Sequence, residues 1–360
     1  MRVLLLGDAR QPHFHRWGAA LAAAGAEVAA LTLQPPLPEA GPAGAAPAPA
    51  PAVALHALSA PGRGVARTRA ALPEALAHAR IWRPDLVSAL FVPDYGLLGA
   101  WLCARLAPRP PLWVVALGSD VLRNAWRTPF HWARARWVLS RAALVAVDAA
   151  VLARGVARLG VPAERTARVD WLPDLRRFAF RAERPAGAPR IVSTRQLAPV
   201  YDVATLLRAA GLLARRHPGF ELVVAGDGPE RSRLERQAGR LGGRVRFAGR
   251  LDADGIAELL GSSGVYVSTA RSDSTSVSLL EAMACGCLPV VTAIPGNQEW
   301  ITEGSSGLLF APGDARALAH QLERALDDEL LREQVASFNR RRLEAVPAFE
   351  ERVARLLASR

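Results

Sequence analysis

Short apolar runs alternate with longer amphipathic stretches along the first half of the chain. Arg2 to Leu6 is apolar and ends at Gly7, which predicts a buried strand, and a helix over about Phe14 to Ala24 and a strand over Glu27 to Leu33 follow. Such runs, bounded by glycine or polar residues, are typical of strands buried on both faces of a parallel sheet. The same pattern predicts strands at 85–90, 112–117, 144–147 and 168–172, and helices at 67–80, 97–106 and 151–159.

The second half of the chain repeats this alternation. Strands are predicted at 190–194, 221–225, 245–248 and 265–269, and helices at 203–215, 231–241, 256–260 and 347–358. Two such series in 360 residues predict an α/β protein with two doubly wound domains, at residues 1–178 and 190–345, joined by residues 179–189. Residues 35–51 are rich in proline and alanine, which predicts an exposed loop of polyproline II character inside the first domain.

The stretch SDSTSVSLLEAMACG, residues 272–286, places small hydroxyl residues between a predicted strand and a predicted helix. Its candidate N-cap residues are Ser274, Thr275 and Ser276. A helix N-terminus offers free N–H groups and partial positive charge, so it is suited to binding a phosphate group. Asp273 precedes the helix, and Glu281 lies roughly 8–9 Å along its axis. A diphosphate at the helix start would leave Glu281 beside a ribose. Taken singly, however, a serine or threonine before a helix is usually only a cap, and a glutamate within a helix usually lies on a solvated face.

The combination resembles the donor-binding signature of the retaining GT-B glycosyltransferases of family 4. In that signature an acidic residue, seven residues and a glutamate precede Ala-Met-Ala-x-Gly-x-Pro-Val-Val, and here Asp273, seven residues and Glu281 precede AMACGCLPVV. Further family motifs are GDGP at 226–229, FAG at 247–249, GLL at 307–309 and PGD at 312–314. The resemblance implies a GT-B fold, in which two Rossmann-like doubly wound domains face a central cleft and residues 346–360 cross back to the first domain.

The resemblance also implies a role for each matching residue of the second domain. Arg195 and the helix start would stabilise the charge of the departing diphosphate, Asp273 would position the donor sugar, and Glu281 would hold the ribose hydroxyls. No convincing Asp-x-Asp motif is present, so no metal ion or other cofactor is expected. The implied donor-binding residues are Arg195, Gly228, Arg250, Leu251, Ser274, Thr275, Ser276, Val277 and Glu281.

Two positions depart from the family pattern. The first acid of the signature is Asp273, one methylene shorter than the usual glutamate, so its contact with the donor sugar is less secure than that of Glu281. The family usually has Lys-Gly after the arginine, whereas this chain has Tyr201 and Asp202. The chain contains no lysine at all, but compositional drift alone would have given arginine. Tyr201 is therefore a genuine substitution, which leaves the diphosphate charge to Arg195 and the helix N-terminus.

Acceptor-side candidates lie after two predicted strands of the first domain. Asp8 and His13 follow the first strand, where doubly wound sheets bind ligands, and Gly118 and Asp120 follow the strand at 112–117. By resemblance, Asp120 faces the acceptor and the donor sugar, and it is the third implied catalytic residue beside Arg195 and Asp273. Two alternatives stay open: His13 is also explained as a loop histidine with internal partners, and Asp120 as a cap of the next helix.

Residues 123–141 mix aromatic and basic side chains. The aromatic residues are Trp126, Phe130, Trp132 and Trp137, and the basic residues are Arg123, Arg127, Arg134, Arg136 and Arg141. Amphipathic helices of this composition lie on anionic membranes, which predicts peripheral association and a lipid-linked or membrane-proximal acceptor. The alternative is that the aromatic rings pack into the domain and the arginines are solvated.

The net charge and the cysteine content limit which partners and which cellular compartment we expect for this protein. The net charge is +12, but the arginines are spread along the chain and no zinc-finger or RNA-binding signature occurs, so nucleic acid is not an expected partner. The three cysteines, Cys103, Cys285 and Cys287, have no disulfide or metal spacing, which is typical of a reducing cytoplasm. Neither a signal peptide nor an apolar run of about 18 residues occurs, so we expect a cytoplasmic protein, peripheral on the inner face of the membrane.

These observations predict a retaining glycosyltransferase that moves a sugar from a nucleotide-diphosphate sugar to a hydroxyl acceptor, in glycan, glycolipid or polysaccharide biosynthesis. Three alternatives remain. A sugar-nucleotide epimerase of the same fold would change the sugar without an acceptor. A catalytically silent sugar-nucleotide-binding protein would bind donor without turnover, and a nucleic-acid binder would show a steep salt dependence.

Overall fold

The computed structural model describes residues 1–34, 53–181 and 190–359 and divides into two compact units. The first unit comprises Met1–Asp170 and Ala348–Arg360, and the second comprises Trp171–Pro347. The predicted proline-rich loop at 35–51 and most of the predicted linker at 179–189 lie outside the described residues. Among the described residues, no helix is both long and apolar enough to cross a bilayer.

The first unit is built on a parallel sheet with the strand order β3-β2-β1-β4-β5-β6-β7. Successive strands are added to one side of β1 as far as β3 and to its other side from β4 onward, and at such a switch point the carboxyl ends of the strands leave a crevice. The strands are β1 Arg2–Leu6, β2 Glu27–Thr32, β3 Val53–Ala57, β4 Leu86–Leu90, β5 Leu112–Val115, β6 Leu144–Val147 and β7 Thr166–Arg168. The helices are α1 Pro12–Ala23, α2 Gly64–Trp82, α3 Leu97–Cys103, α4 Ser119–Leu122, α5 Pro129–Ser140 and α6 Ala150–Arg158.

The second unit repeats this arrangement with the strand order β10-β9-β8-β11-β12-β13. Its central strands β8, β9, β11 and β12 are buried along their whole length, as expected for parallel strands covered on both faces. The strands are β8 Ile191–Ser193, β9 Leu222–Ala225, β10 Val245–Gly249, β11 Val265–Ser268, β12 Leu288–Thr292 and β13 Leu308–Phe310. The helices are α7 Val203–Leu213, α8 Arg231–Ala238, α9 Ala253–Gly261, α10 Val277–Ala284, α11 Pro295–Gln298, α12 Ala315–Asp327 and α13 Glu329–Glu344.

The last helix of the chain, Phe349–Ala358, packs on α1 within the first unit. The ring of Phe349 lies 6.0 Å from that of Trp17, and both side chains are fully buried. The Trp17 Nε1–H donates a hydrogen bond of 3.0 Å to Ser88 Oγ on β4. The final helix is therefore part of the first unit's core, although it is the last segment in sequence.

The α/β architecture of two doubly wound units is as predicted, but the strand predicted at 168–172 is wrong. The observed strand ends at Arg168, and the buried residues Val169, Trp171 and Leu172 form an extended connection instead. An apolar connection produces the same pattern as an apolar strand, which explains the error. Leu172 and Phe178 pack in a core cluster of the second unit, so the contacts divide the chain at Asp170 and not at the predicted residue 178.

Candidate functional site

The turn between β11 and α10 is lined by buried hydroxyl side chains. Ser274, Thr275 and Ser276 are all almost inaccessible to solvent. Ser276 is the N-cap of α10, because its Oγ accepts a hydrogen bond from the Leu279 N–H at 3.4 Å. Of the three cap candidates, the structure thus selects the last. The first turn of α10 begins at Val277, and its leading N–H groups have no partner within the helix, which is the usual basis of anion binding.

Arg195 connects this turn to the carboxyl end of β8. Its guanidinium donates to Ser276 Oγ at 2.6 Å and to Ser278 Oγ at 3.4 Å, and it forms an ion pair of 2.5 Å with Asp273. Burial alone would lower the pKa of Arg195, but the carboxylate of Asp273 raises it well above the ordinary value. The side chain is only 8% exposed and is held by three side-chain partners, so the site contains a charged, buried cation in one position.

Several buried polar atoms at the carboxyl ends of the neighbouring strands have no hydrogen-bond partner among the described residues. They include the Nε of Arg195, Thr194 Oγ1 and Ser268 Oγ. All three belong to the carboxyl ends of β8 and β11, which are neighbouring strands of the sheet. Buried polar groups are nearly always satisfied in proteins, so a cluster of unsatisfied ones at a sheet edge indicates a place for a polar ligand or for water.

Tyr201 occupies the position at which the resemblance leads one to expect lysine, and it contacts Arg195 directly. The guanidinium carbon lies 4.3 Å from the centre of the Tyr201 ring, which is within the range of a cation–π interaction. The Tyr201 carbonyl accepts a hydrogen bond of 2.7 Å from Thr269 Oγ1. The substitution thus replaces a second cation by an aromatic surface that supports the first.

Two glycines allow other segments to approach this region closely. A Cβ at Gly228 would lie 2.4 Å from the Leu197 carbonyl oxygen, and one at Gly296 would lie 1.9 Å from the Ser274 carbonyl oxygen. Neither position has room for a side chain. Gly228 was among the predicted residues, but Gly296 was not. A Pro-Gly pair after an apolar run is typical of a turn, but here it begins the short helix α11, and the sequence alone does not reveal its contact with Ser274.

The remaining donor-side candidates lie on the same unit. Glu281 is half-buried on α10, five residues after the N-cap, and therefore about 7.5 Å along the helix axis. Arg250 is exposed and Leu251 is half-buried, and both follow the carboxyl end of the edge strand β10. The roles of these residues toward a nucleotide stay predictions.

The first unit contains a cavity of about 540 Å³ at the carboxyl ends of its strands. Its polar lining includes the predicted residues Asp8 and His13, whereas Gly118 and Asp120 do not line it. Asp8 forms an ion pair of 2.7 Å with Arg10. Burial raises the pKa of Asp8, but the hydrogen bonds from Arg10 outweigh this effect and lower it. The other polar side chains in the lining are Gln11, Gln34, Arg63, Arg67, Thr68, Asp94, Tyr95 and Ser119.

Asp94 is a carboxylate of this cavity that the sequence reasoning missed. It lies in a π-helical turn, Val92–Gly96, which follows Phe91 with a φ of 81°. A positive φ at a bulky residue is uncommon in proteins, and so is a π-helical turn. Where they do occur, both are often found at functional sites. Burial raises the pKa of Asp94, and the charges of Arg134 and Arg67 oppose that shift. Among the described residues no hydrogen-bond donor reaches its carboxylate, so it is available to a hydroxyl group in the cavity.

Asp120 does not line this cavity, contrary to the expectation that its side chain faces a substrate. Its side chain is fully buried and accepts backbone hydrogen bonds of 3.1 Å each from Val92, Leu117 and Val121. Burial raises the pKa of Asp120 to about 6. Through these hydrogen bonds, the carboxylate connects the loop after β5 to the π-helical turn that contains Asp94. Asp120 therefore positions the cavity wall, and the buried Gly118 with a φ of 99° permits the turn before it.

Comparisons with known proteins match both units of the chain. A family model described as glycosyl transferases group 1 matches residues 176–342, and a model described as glycosyl transferase 4-like domain matches residues 11–171. The lipopolysaccharide core biosynthesis glycosyltransferase LpsE of Rhizobium meliloti is 30% identical over 189 residues, which are 48% of this chain and 54% of that protein. The chain spans about half the length, or less, of the curated relatives it matches.

Solved structures resemble the whole chain. Sucrose-phosphate synthase of Thermosynechococcus elongatus superposes with a TM-score of 0.83 at 22% identity and covers 100% of this chain and 98% of its own. The Anabaena protein HepE in complex with UDP-glucose has a TM-score of 0.78 at 18% identity, with both chains fully covered. At these identities the likeness establishes the fold, which is the GT-B fold that the resemblance implied.

Proposed function

The chain belongs to the glycosyl transferases group 1 family, and we propose that it moves a sugar from a nucleotide-diphosphate sugar to a hydroxyl acceptor with retention of configuration. The observation that carries this proposal is the buried Arg195 at the N-terminus of α10, in one cluster with Ser276 and Asp273. A fixed cation and a helix N-terminus together suit the charge that develops on a departing diphosphate.

The donor would lie along α10. Its diphosphate would contact Arg195 and the first N–H groups of the helix, and Glu281 would accept hydrogen bonds from the ribose hydroxyls farther along. The base would lie near Arg250 and Leu251. HepE has been solved with UDP and UDP-glucose, which makes UDP-sugars the first donors to test.

The anomeric configuration would be retained because the acceptor hydroxyl attacks the sugar on the same face from which the diphosphate departs. The bond between the anomeric carbon and the diphosphate breaks, and its electron pair goes to the phosphate oxygen. That oxygen takes the proton of the acceptor hydroxyl, whose oxygen then bonds to the anomeric carbon. Asp273 would hold the sugar or keep Arg195 oriented, and no residue of the chain needs to form a covalent intermediate. This route requires no metal ion, which stays a prediction.

The acceptor would occupy the cavity of the first unit. Two carboxylates with different environments line it: Asp8 is neutralised by Arg10, whereas Asp94 has no such close partner among the described residues. A sugar or polyol hydroxyl would find an acceptor in Asp94 and donors in Arg63 and Arg67. The cavity is thus suited to a polar, hydroxyl-bearing acceptor.

The surface around α5 supports an acceptor at an anionic membrane. Trp126, Phe130 and Trp132 are 47%, 61% and 38% exposed, which argues against the alternative that these three rings are buried in the core, whereas Trp137 packs against the core of the first unit. No acidic residue occurs from 121 to 147, where five arginines do. Each basic side chain near an anionic bilayer contributes about 1 kcal/mol of attraction, and exposed tryptophan and phenylalanine anchor at the interface. LpsE, a relative named for lipopolysaccharide core biosynthesis, agrees with such an acceptor.

Vesicle sedimentation tests the membrane part of the proposal. The chain should pellet with phosphatidylglycerol vesicles at low salt and be released at high salt, because the attraction of exposed charges is screened. The double variant Phe130→Ala/Trp132→Ala should bind more weakly. Phe338→Ala, which removes a 44% exposed aromatic ring from the second unit, is the matched control. Equal binding of the two variants, or no binding by the unmodified chain, would rule out this surface.

A donor screen tests the transferase proposal. The chain is incubated with UDP-, GDP- and ADP-sugars, alone and with alkyl glycosides, while nucleotide release, thermal stability and the anomeric configuration of products are followed. Ligand binding raises the apparent stability. Release of nucleotide that Arg195→Ala lowers by about 10²–10³-fold supports the proposal. An altered sugar still attached to nucleotide would identify an epimerase, binding without turnover a silent protein, and absence of stabilisation by any donor would refute a nucleotide-sugar site.

A further inference from the structure

His56, Glu74 and His78 form a cluster of metal-ligating side chains outside the cavity and the donor region. His56 is on β3, and Glu74 and His78 are one helical turn apart on α2. One ligand atom from each lies within 4.8 Å of the others, and all three residues are half-buried. Residues four apart on a helix share a face, so the two α2 side chains point together toward the strand.

The cluster is already ordered by hydrogen bonds. His56 Nε2 lies 2.8 Å from Glu74 Oε1, and the other carboxylate oxygen accepts a 2.8 Å hydrogen bond from the Ser59 N–H. The two imidazole rings lie 3.9 Å apart. In metal sites, hydrogen bonds from neighbouring groups hold the ligating side chains in orientation, and the Ser59 N–H does this for the carboxylate of Glu74.

We infer that His56, Glu74 and His78 bind a divalent transition-metal ion, with Zn²⁺ as the best match. Two imidazoles and one carboxylate are a zinc ligand set, and the partial exposure leaves a fourth position for water. Ca²⁺ and Mg²⁺ prefer oxygen ligands and suit the set poorly. Ligand atoms around tetrahedral Zn²⁺ are about 3.3 Å apart, given bonds of 2.0–2.1 Å. The most distant pair of ligand atoms must therefore approach by at most about 1.5 Å to close the site. The ion would replace any proton shared between His56 and Glu74, which is released to solvent.

The ion would tie α2 to β3, the edge strand of the first sheet. The N-terminal part of the same helix contributes Arg67 to the cavity lining, and Arg63 precedes it. None of the three ligands lines the cavity among the described residues. The ion would therefore stabilise the position of the helix that forms one wall of the cavity, and it would take no part in the proposed transfer chemistry.

Calorimetry of the full chain tests this inference. The protein is treated with EDTA, desalted and titrated with ZnCl₂ near pH 7.5. We expect one Zn²⁺ per chain, with the affinity lowered at least about tenfold in His78→Ala and in Glu74→Gln. His320→Ala removes an exposed histidine from α12 and is the matched control, which should bind like the unmodified chain.

Two further measurements keep the test decisive. Thermal melts of the EDTA-treated variants show whether each is folded before zinc is added, and zinc should raise the melting temperature of the unmodified chain but not of His78→Ala. Co²⁺ in place of Zn²⁺ should give a visible spectrum of low coordination number that His56→Ala abolishes. Absence of stoichiometric binding, or an equal loss in His78→Ala and His320→Ala, would overturn the site and leave a hydrogen-bonded cluster without metal.

Discussion

Gly296 gives the sharpest prediction about the donor region. In Gly296→Ala the new Cβ would lie 1.9 Å from the Ser274 carbonyl oxygen and 2.8 Å from that of Asp273. Real Cβ contacts essentially never fall below 3.0 Å, so the turn or α11 must move by at least 1.1 Å, the difference between 3.0 and 1.9 Å. Both contacting atoms are backbone, and no side-chain rotation can relieve them.

The displacement affects the segment that leads into α10. Overpacking of this kind costs about 1–3 kcal/mol of stability. The same segment carries the Asp273 partner of Arg195 and the N-cap Ser276, and a misplacement of about 1 Å in a positioning element can cost about 10²-fold in rate. We therefore expect Gly296→Ala to melt at a lower temperature, to bind UDP-glucose more weakly and to lose about 100-fold in turnover.

Gly239→Ala is the matched control for this experiment. It makes the same chemical change in the same unit, but the added Cβ would have no heavy atom within 4 Å, and the backbone is helical with a φ of −53°. Alanine at such a site is neutral or stabilising. Melting curves, UDP-glucose calorimetry and initial rates are measured for both variants. Equal behaviour would show that the close approach of Gly296 to the turn does not matter for the site.

Three other substitutions test separate parts of the molecule. Glu281→Ala should weaken nucleotide-sugar binding by about 1.5–3 kcal/mol without lowering the melting temperature, and unchanged affinity in calorimetry would remove Glu281 from the site. Asp94→Asn should lower transfer to a hydroxyl acceptor while donor affinity stays the same, whereas equal transfer rates would exclude its role. Asp120→Asn should change the pH dependence of stability: the pKa of Asp120 is about 6 in the fold and 3.8 in the unfolded chain, so its contribution is present below pH 3.8 and lost as pH rises through 6. The unmodified chain should thus lose about 2 kcal/mol relative to Asp120→Asn between pH 4 and 7, and parallel urea midpoints would contradict this.

The sequence was sufficient for most elements up to α10 because buried parallel strands are short apolar runs, but it did not predict β12, β13, α12 or α13. The same pattern failed at 168–172, where an apolar connection is buried without joining the sheet. It also gave no sign of β3, which follows the proline-rich residues. Periodicity reports burial, and it identifies a strand only where burial and sheet pairing coincide.

Side-chain direction was the part of the site that the sequence could not supply. Asp8 and Asp120 each follow a predicted strand, so the sequence placed both of them at the carboxyl edge of the sheet. The Val92 N–H that binds the Asp120 carboxylate in the interior is 28 residues away in sequence. Asp94 and Gly296 acquire their significance in the same way, from a strained turn and from a close backbone contact. Local motifs fix which residues reach an edge, whereas partners distant in sequence decide which of them face a ligand.

Tyr201→Lys tests whether the site depends on the tyrosine that replaces the family's usual lysine. In the structure Tyr201 covers one face of the Arg195 guanidinium, while Asp273 and Ser276 hold its nitrogens. A lysine there would remove a cation–π contact of about 0.5–2 kcal/mol and place a second cation against a buried one. We expect lower stability and no gain in turnover, with Tyr201→Phe, which retains the ring, close to the unmodified chain. Higher donor turnover in Tyr201→Lys, at an undiminished melting temperature, would show instead that the site still accepts the family's lysine and that Tyr201 has no positioning role.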